Sequence, residues 1–281
     1  MTIAKAAEQV QIYIKTSAIN LNRTLLVLGV IVVLAFGVRL LTFDRYLPFL
    51  DYNDESNMYL LARDWRGVEA VPVVPEWLAG YPPLYIWVNM LVQEAVEAHW
   101  PRPWIFPSEY FYYTRLLSAI FGGLTAFVIM LLGWELGGSI AAAFAGSVWA
   151  LSPLVVNYNS LAIPDPLVYL ACALALVTAI RAWKTRSPLW LLGSLVAGII
   201  VTYAKYEAVF ALIPCGLTLL VLLFQQPRRW LRWLVVYLAV GLLTAAYLIF
   251  GYGALNLNNR EAASVRGGWL SNILMLRSHL N

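Results

Sequence analysis

Charge is scarce in this sequence: 12% of its 281 residues are Asp, Glu, Lys or Arg, 61% are hydrophobic, and mean hydropathy is +0.71. Soluble globular domains carry roughly 25% charged residues, so an ordinary soluble fold is excluded. Cysteine is down to two residues, Cys172 and Cys215, each inside an apolar run. They read as packing residues, not as a disulfide framework or a metal pair. Histidine is equally rare, and neither His99 nor His279 has a ligand at metal-binding spacing, so no metal site is expected. Gly-rich phosphate loops and nucleophile elbows are missing too. The net charge of +4 is therefore read loop by loop, and no nucleic-acid partner is expected.

What fills the chain is apolar helix. Seven segments stand out, at about 24–43, 116–136, 138–156, 167–182, 189–204, 208–225 and 231–252. Their lengths suit membrane helices, not barrel strands. The fifth and sixth are short for a full crossing and call for tilted partners or a thinned, water-lined surrounding. The expected fold is an all-α membrane protein of about seven transmembrane helices, with a large first extracytoplasmic loop containing interfacial helices. Residues 1–23 form a cytoplasmic lead-in, too polar to span, amphipathic or frayed on the surface. With no small-residue cleavage site behind it, the first apolar run is an uncleaved membrane helix. Residues 24–252 make the transmembrane domain. The polar segment 253–281 is placed outside the membrane and reads as the start of a missing C-terminal part.

Basic residues set the orientation. Lys5, Lys15 and Arg23 precede the first span, Arg181, Lys184 and Arg186 follow the fourth, and Arg228, Arg229 and Arg232 follow the sixth. Seven crossings put all three groups on one side, which the positive-inside rule makes cytoplasmic. Loop 44–111 then falls outside, in a multi-pass protein of the cell membrane, with four arginines against ten acids.

That loop has structure of its own. Met58, Leu61, Ala62 and Trp65 recur at helical spacing, and Asp54 favours a helix start. Gly80-Tyr81-Pro82-Pro83 makes a turn, and the run Leu84–Val96 is too short to span, so it lies along the interface. Trp100, Trp104, Phe106 and Tyr110 to Tyr113 form an aromatic belt where the chain re-enters lipid.

The candidate chemistry sits at the outer helix ends. Asp51, Asp54 and Glu55 follow the first span, Arg115 opens the second, Asp165 opens the fourth, and Lys205 and Glu207 connect the fifth to the sixth. Both signs of charge meeting on one face suit a phosphate-bearing, lipid-linked substrate. Cations would hold the phosphate while carboxylates handle a hydroxyl or amine acceptor. Plainer readings stand beside this one. Asp165 before Pro166 is a good helix cap, Arg115 and Lys205 could be snorkelling residues, and Asp54-Glu55 could be a solvated helix start.

In order, the chain carries Asp54-Glu55 after the first span, Pro82-Pro83-Leu84-Tyr85 before an interfacial helix, Arg115-Leu116-Leu117-Ser118-Ala119 opening the next span, Ser152-Pro153, and Pro164-Asp165. Over residues 24–252 this resembles the polyprenyl-phosphate-sugar-dependent glycosyltransferases of the GT-C fold, in the protein O-mannosyltransferase and aminoarabinose-transferase group. The resemblance implies an inverting transfer from a lipid-phosphate sugar to a protein, lipid or glycan acceptor at the outer face. It makes Asp54 the catalytic base, Glu55 its acceptor-binding neighbour and Asp165 the second acid. Arg115 and Lys205 fall near the donor phosphate, and Asp51 and Tyr81 join them as substrate-binding candidates. Gly80-Tyr81 stand where the aminoarabinose transferases have Glu-Lys, and family members continue with further helices. No cofactor is called for, because phosphate is already a fair leaving group. The competing class is a non-catalytic transmembrane subunit packed against partners in a larger membrane complex. A transporter is disfavoured, since the charges gather at one pole and not at the midplane.

Overall fold

The computed structural model describes residues 3–45, 47, 53–67, 82–99 and 107–247, with side chains from residue 22 onward except those of Asn53, Pro107, Tyr206 and Glu207. Asp51, Tyr81, Trp100, Trp104, Phe106, His279 and the segment 253–281 lie outside the described residues. Every regular element among the described residues is helical.

The first helix, α1 (Ile3–Leu40), runs unbroken for 38 residues. Residues 3–21, expected as a surface lead-in, are helical and continuous with the span that begins at Asn22, and no Gly or Pro interrupts the helix before Gly29. At 1.5 Å per residue it is about 57 Å long, well beyond a hydrocarbon core of about 30 Å. Two helices of the first loop follow, α2 (Asn53–Trp65) and α3 (Pro83–His99). Both were expected. Met58, Leu61 and Ala62 of α2 bury against Tyr85 and Ile86 of α3, whereas Trp65, assigned to the same face, is exposed.

Helix α4 (Pro107–Leu151) doubles back on itself. Gly137 leaves helical geometry and Gly138 takes φ 72°, a left-handed conformation that glycine adopts without a Cβ penalty. Gly133 lies against the backbone of Ala141, Gly146 against Met130, and Trp149 Nε1 donates to the carbonyl of Gly122 at 3.3 Å. Those pairings make two antiparallel arms, matching the two segments read around residue 137. Next come α5 (Pro153–Asn159), α6 (Asp165–Thr185), α7 (Pro188–Ala204), a 3-10 segment (Tyr206–Leu212), α8 (Ile213–Gln225) and α9 (Pro227–Ala246). Prolines in the first turn fix the starts of α5, α7 and α9, where a missing N–H costs nothing.

Among the described residues, five stretches are long and apolar enough to cross a membrane: Asn22–Leu40, Ser108–Leu151 (the two arms of α4 taken together), Asp165–Thr185, Ala208–Gln225 and Pro227–Ala246. The chain is a multi-pass membrane protein. Small residues carry the close approaches, as expected where lipid supplies no hydrophobic drive between helices. Ile31 and Ala35 of α1 meet Ala126, Met130, Ala142 and Ala150 of the α4 arms. Leu195, Cys215, Leu219 and Trp230 pack α7, α8 and α9 together.

Contacts sort the helix ends into two poles. At one, Arg181 Nε donates to Glu135 at 2.8 Å, Lys184 bonds the same residue, and Arg229 donates to the carbonyl of Arg186 at 3.3 Å. The other gathers the end of α1, the start of α2, the start of α4, the loop before α6 and the end of α7.

Candidate functional site

At this second pole a carboxylate and a guanidinium meet inside the protein. Glu55 is the third residue of α2, where the helix dipole favours an anion. Arg115 lies in the third turn of α4 and reaches it twice, Nε to Oε1 at 2.7 Å and Nη2 to Oε2 at 2.6 Å. Glu55 is 0% exposed and Arg115 3%. A pair desolvated to this degree holds only if its remaining hydrogen-bonding capacity is used. It is used here: Arg115 Nη1 donates to the carbonyl of Arg45 at 2.9 Å, and the backbone N–H of Ala162 donates to Glu55 Oε1 at 2.6 Å. Four separate segments are tied at one point.

The Ala162 bond matters because residues 160–164 form a turn with a buried backbone. Ala162 and Ile163 are each 1% exposed, and an orphaned N–H there would be costly. Glu55 satisfies it, and so fixes the chain immediately before Asp165. Asp165 does not cap α6: the cap position is Pro164, with no side-chain cap bond, and Asp165 is the first helical residue. Its carboxylate instead accepts from Lys205 Nζ at 3.0 Å, joining the start of α6 to the end of α7. This corrects the capping alternative. Lys205 keeps more than a third of its side chain exposed and Asp165 about a sixth, so this pair is reachable where Glu55–Arg115 is not.

Tyr85, from the Pro-Pro-Leu-Tyr run, lies between the two pairs. Its hydroxyl shares a 3.4 Å hydrogen bond with Ser118 Oγ. Burial, foremost, pushes the Tyr85 hydroxyl well above the usual tyrosine range; the bond to Ser118 works against that, and the negative charges of Glu55 and Asp165 add to it. The hydroxyl therefore stays neutral. The sequence offered a signal in that run, but only its prolines were assigned a purpose.

Arg39 went unremarked in the sequence. It is completely buried, donating from Nε to Asn159 Oδ1 at 3.1 Å and from Nη2 to the carbonyl of Trp149 at 3.1 Å, with further bonds to the carbonyls of Ala35 and Ala150. A cation there sits against the carbonyl end of the second α4 arm, which its charge complements. An arginine inside an apolar run was the available clue, because such residues are rare without a purpose.

Asp54 heads α2 one residue before Glu55 and is partly exposed. The α2–α3 pair is clasped from the side: Arg66, just past the end of α2, binds Glu97 of α3 at 2.6 Å, and Tyr110 of α4 donates to Glu97 at 2.9 Å. Tyr110 and Phe111, expected as membrane anchors, are buried against Tyr59, whereas Tyr112 and Tyr113 stay exposed. On the neighbouring face of α4, Tyr113, Leu117 and Ile120 line an apolar cavity of about 570 Å³ with Val92, Val96 and His99 of α3.

Residues 108–251, just over half of the chain, match the family model described as dolichyl-phosphate-mannose-protein mannosyltransferase. The match takes in Arg115, Asp165 and Lys205 and begins after Asp54 and Glu55. No curated protein matches the chain.

Proposed function

Because the chain belongs to the dolichyl-phosphate-mannose-protein mannosyltransferase family, we propose that it transfers a sugar from a polyprenyl-phosphate donor to a protein, lipid or glycan acceptor at the outer face of the cell membrane. The observation that carries this reading is the meeting of Glu55, Arg115, Asp165 and Lys205, with Tyr85 among them, at one pole. The opposite pole holds Arg181, Lys184, Arg186 and Arg229, and the positive-inside rule turns it toward the cytoplasm.

The reaction is a single displacement of GT-C type. Asp54 accepts the proton of the acceptor hydroxyl as that oxygen attacks the sugar C1. The bond from C1 to the phosphate oxygen breaks, the configuration at C1 inverts, and the polyprenyl phosphate departs with the bond's electron pair. Lys205, the more accessible cation, meets the phosphate and Asp165 orients it. Arg115 adds positive field from behind its bond to Glu55. Glu55 serves as a positioning residue, because both its oxygens are engaged inside the protein. Asp51 and Tyr81 contribute to substrate binding, and the apolar cavity between α3 and α4 accepts part of the prenyl tail.

A second reading has its own support. The saturated Glu55–Arg115 pair is by itself a sufficient structural lock, as a non-catalytic subunit of a membrane complex would need. Proteoliposomes given polyprenyl-phosphate mannose and an acceptor separate the two. Transfer by the native protein, reduced at least about 100-fold in Asp54→Asn with membrane insertion unchanged, supports the enzyme. Full transfer in that variant removes Asp54 as the base, and no transfer by the folded native protein favours the scaffold.

A further inference from the structure

At the Glu135 pole, α1 and the second arm of α4 part company and leave a groove. They approach at Ile31, where a Cβ added to Gly146 would lie 3.2 Å from the Ile31 side chain. One turn toward the pole they diverge, and a cavity of about 530 Å³ opens between them. Its floor is Ser139, Ala143 and Ser147, small residues one helical turn apart, and Val27 and Phe144 form apolar sides. At its mouth stand Arg23, exposed, with the hydroxyls of Thr24 and Ser139; no acid is among the lining residues described.

We propose that this groove binds one anionic phospholipid of the leaflet on the Glu135 side, its phosphate on Arg23, Thr24 and Ser139 and one acyl chain along the small-residue floor. Dimensions favour a lipid tail over a helix. The eight residue steps from Ser139 to Ser147 span about 12 Å, comparable to the roughly 15 Å hydrocarbon depth of a single leaflet. On α1 the lining ends at Leu28, one turn before Ile31, which lies against Gly146. A transmembrane helix would have to continue past that contact; a chain that ends there need not. A cation beside two hydroxyls at the polar end matches a phosphodiester, and the missing acids remove any repulsion. The site is distinct from the glycosyl-transfer pole and does not depend on that reading.

Native mass spectrometry of the full chain in mild detergent, titrated with dioleoyl phosphatidylglycerol or dioleoyl phosphatidylcholine, tests it. One phosphatidylglycerol should be retained in preference to phosphatidylcholine. Arg23→Gln should weaken that first binding step about fivefold, the loss of one surface cation's attraction. Ala143→Leu, which fills the floor, should remove the step, with Arg23→Gln as the variant that leaves packing intact. Equal retention of the two lipids, or unchanged phosphatidylglycerol binding in Arg23→Gln, overturns the proposal. So does a dimer mass in place of the lipid adduct, which would give the groove to a second copy of the chain.

Discussion

The two ends of the helix bundle use the same chemical parts in opposite ways. At the Glu135 pole one carboxylate is held by Arg181 and Lys184, with side chains 17%, 33% and 42% exposed. At the Glu55 pole one carboxylate is held by one arginine, and water reaches neither to any extent. A half-solvated cluster can reorganise or dissolve in salt at little cost. A desolvated pair cannot lose either member without leaving an uncompensated charge inside the protein. Rigid geometry is thus concentrated at the pole where residues from four segments must stay in register.

This contrast can be broken most severely at its buried end. Glu55→Gln or Arg115→Leu should each lower unfolding stability by about 3–5 kcal/mol, read as a large drop in the denaturation midpoint in detergent. A drop comparable to an exposed pair would mean that water enters the pole. Next in size is Gly122→Ala, since a Cβ there would come within 1.7 Å of Asn159 Oδ1 and 2.7 Å of Arg39 Nε. Overpacking of this kind costs about 1–3 kcal/mol. Gly29→Ala, with nothing within 4 Å, is the matched control and should not lose stability. Smallest is Glu135→Gln, expected to change stability by about 0–1 kcal/mol and to lose even that at high salt. A multi-kilocalorie loss from Glu135→Gln would erase the distinction between the poles.

Much of this was visible in the chain before its fold. The helices of the first loop followed from the spacing of Met58, Leu61 and Ala62 and from Pro82-Pro83. The reversal at Gly137-Gly138 separated two apolar runs as read. Charges at helix ends could be assigned to a common pole because each helix reverses direction in turn. What could not be read was depth. Glu55 and Asp54 are adjacent acids in the same helical turn, yet Glu55 is sealed inside while Asp54 is partly exposed, and the difference is made by Arg115 and Ala162, far along the chain. Likewise Asp165 looked like a cap because capping is a local pattern, and its partner Lys205 arrives from another helix. Arg39 drew no reading at all from the sequence, because only the packing of α5 and the α4 arms buries it against carbonyl oxygens.

The most direct measurement compares sugar transfer from polyprenyl-phosphate mannose by Glu55→Gln and Glu135→Gln, each as folded, monodisperse protein in proteoliposomes and normalised to the amount inserted. The account predicts a severe loss of transfer in Glu55→Gln and native transfer in Glu135→Gln. Equal rates in the two variants would contradict it.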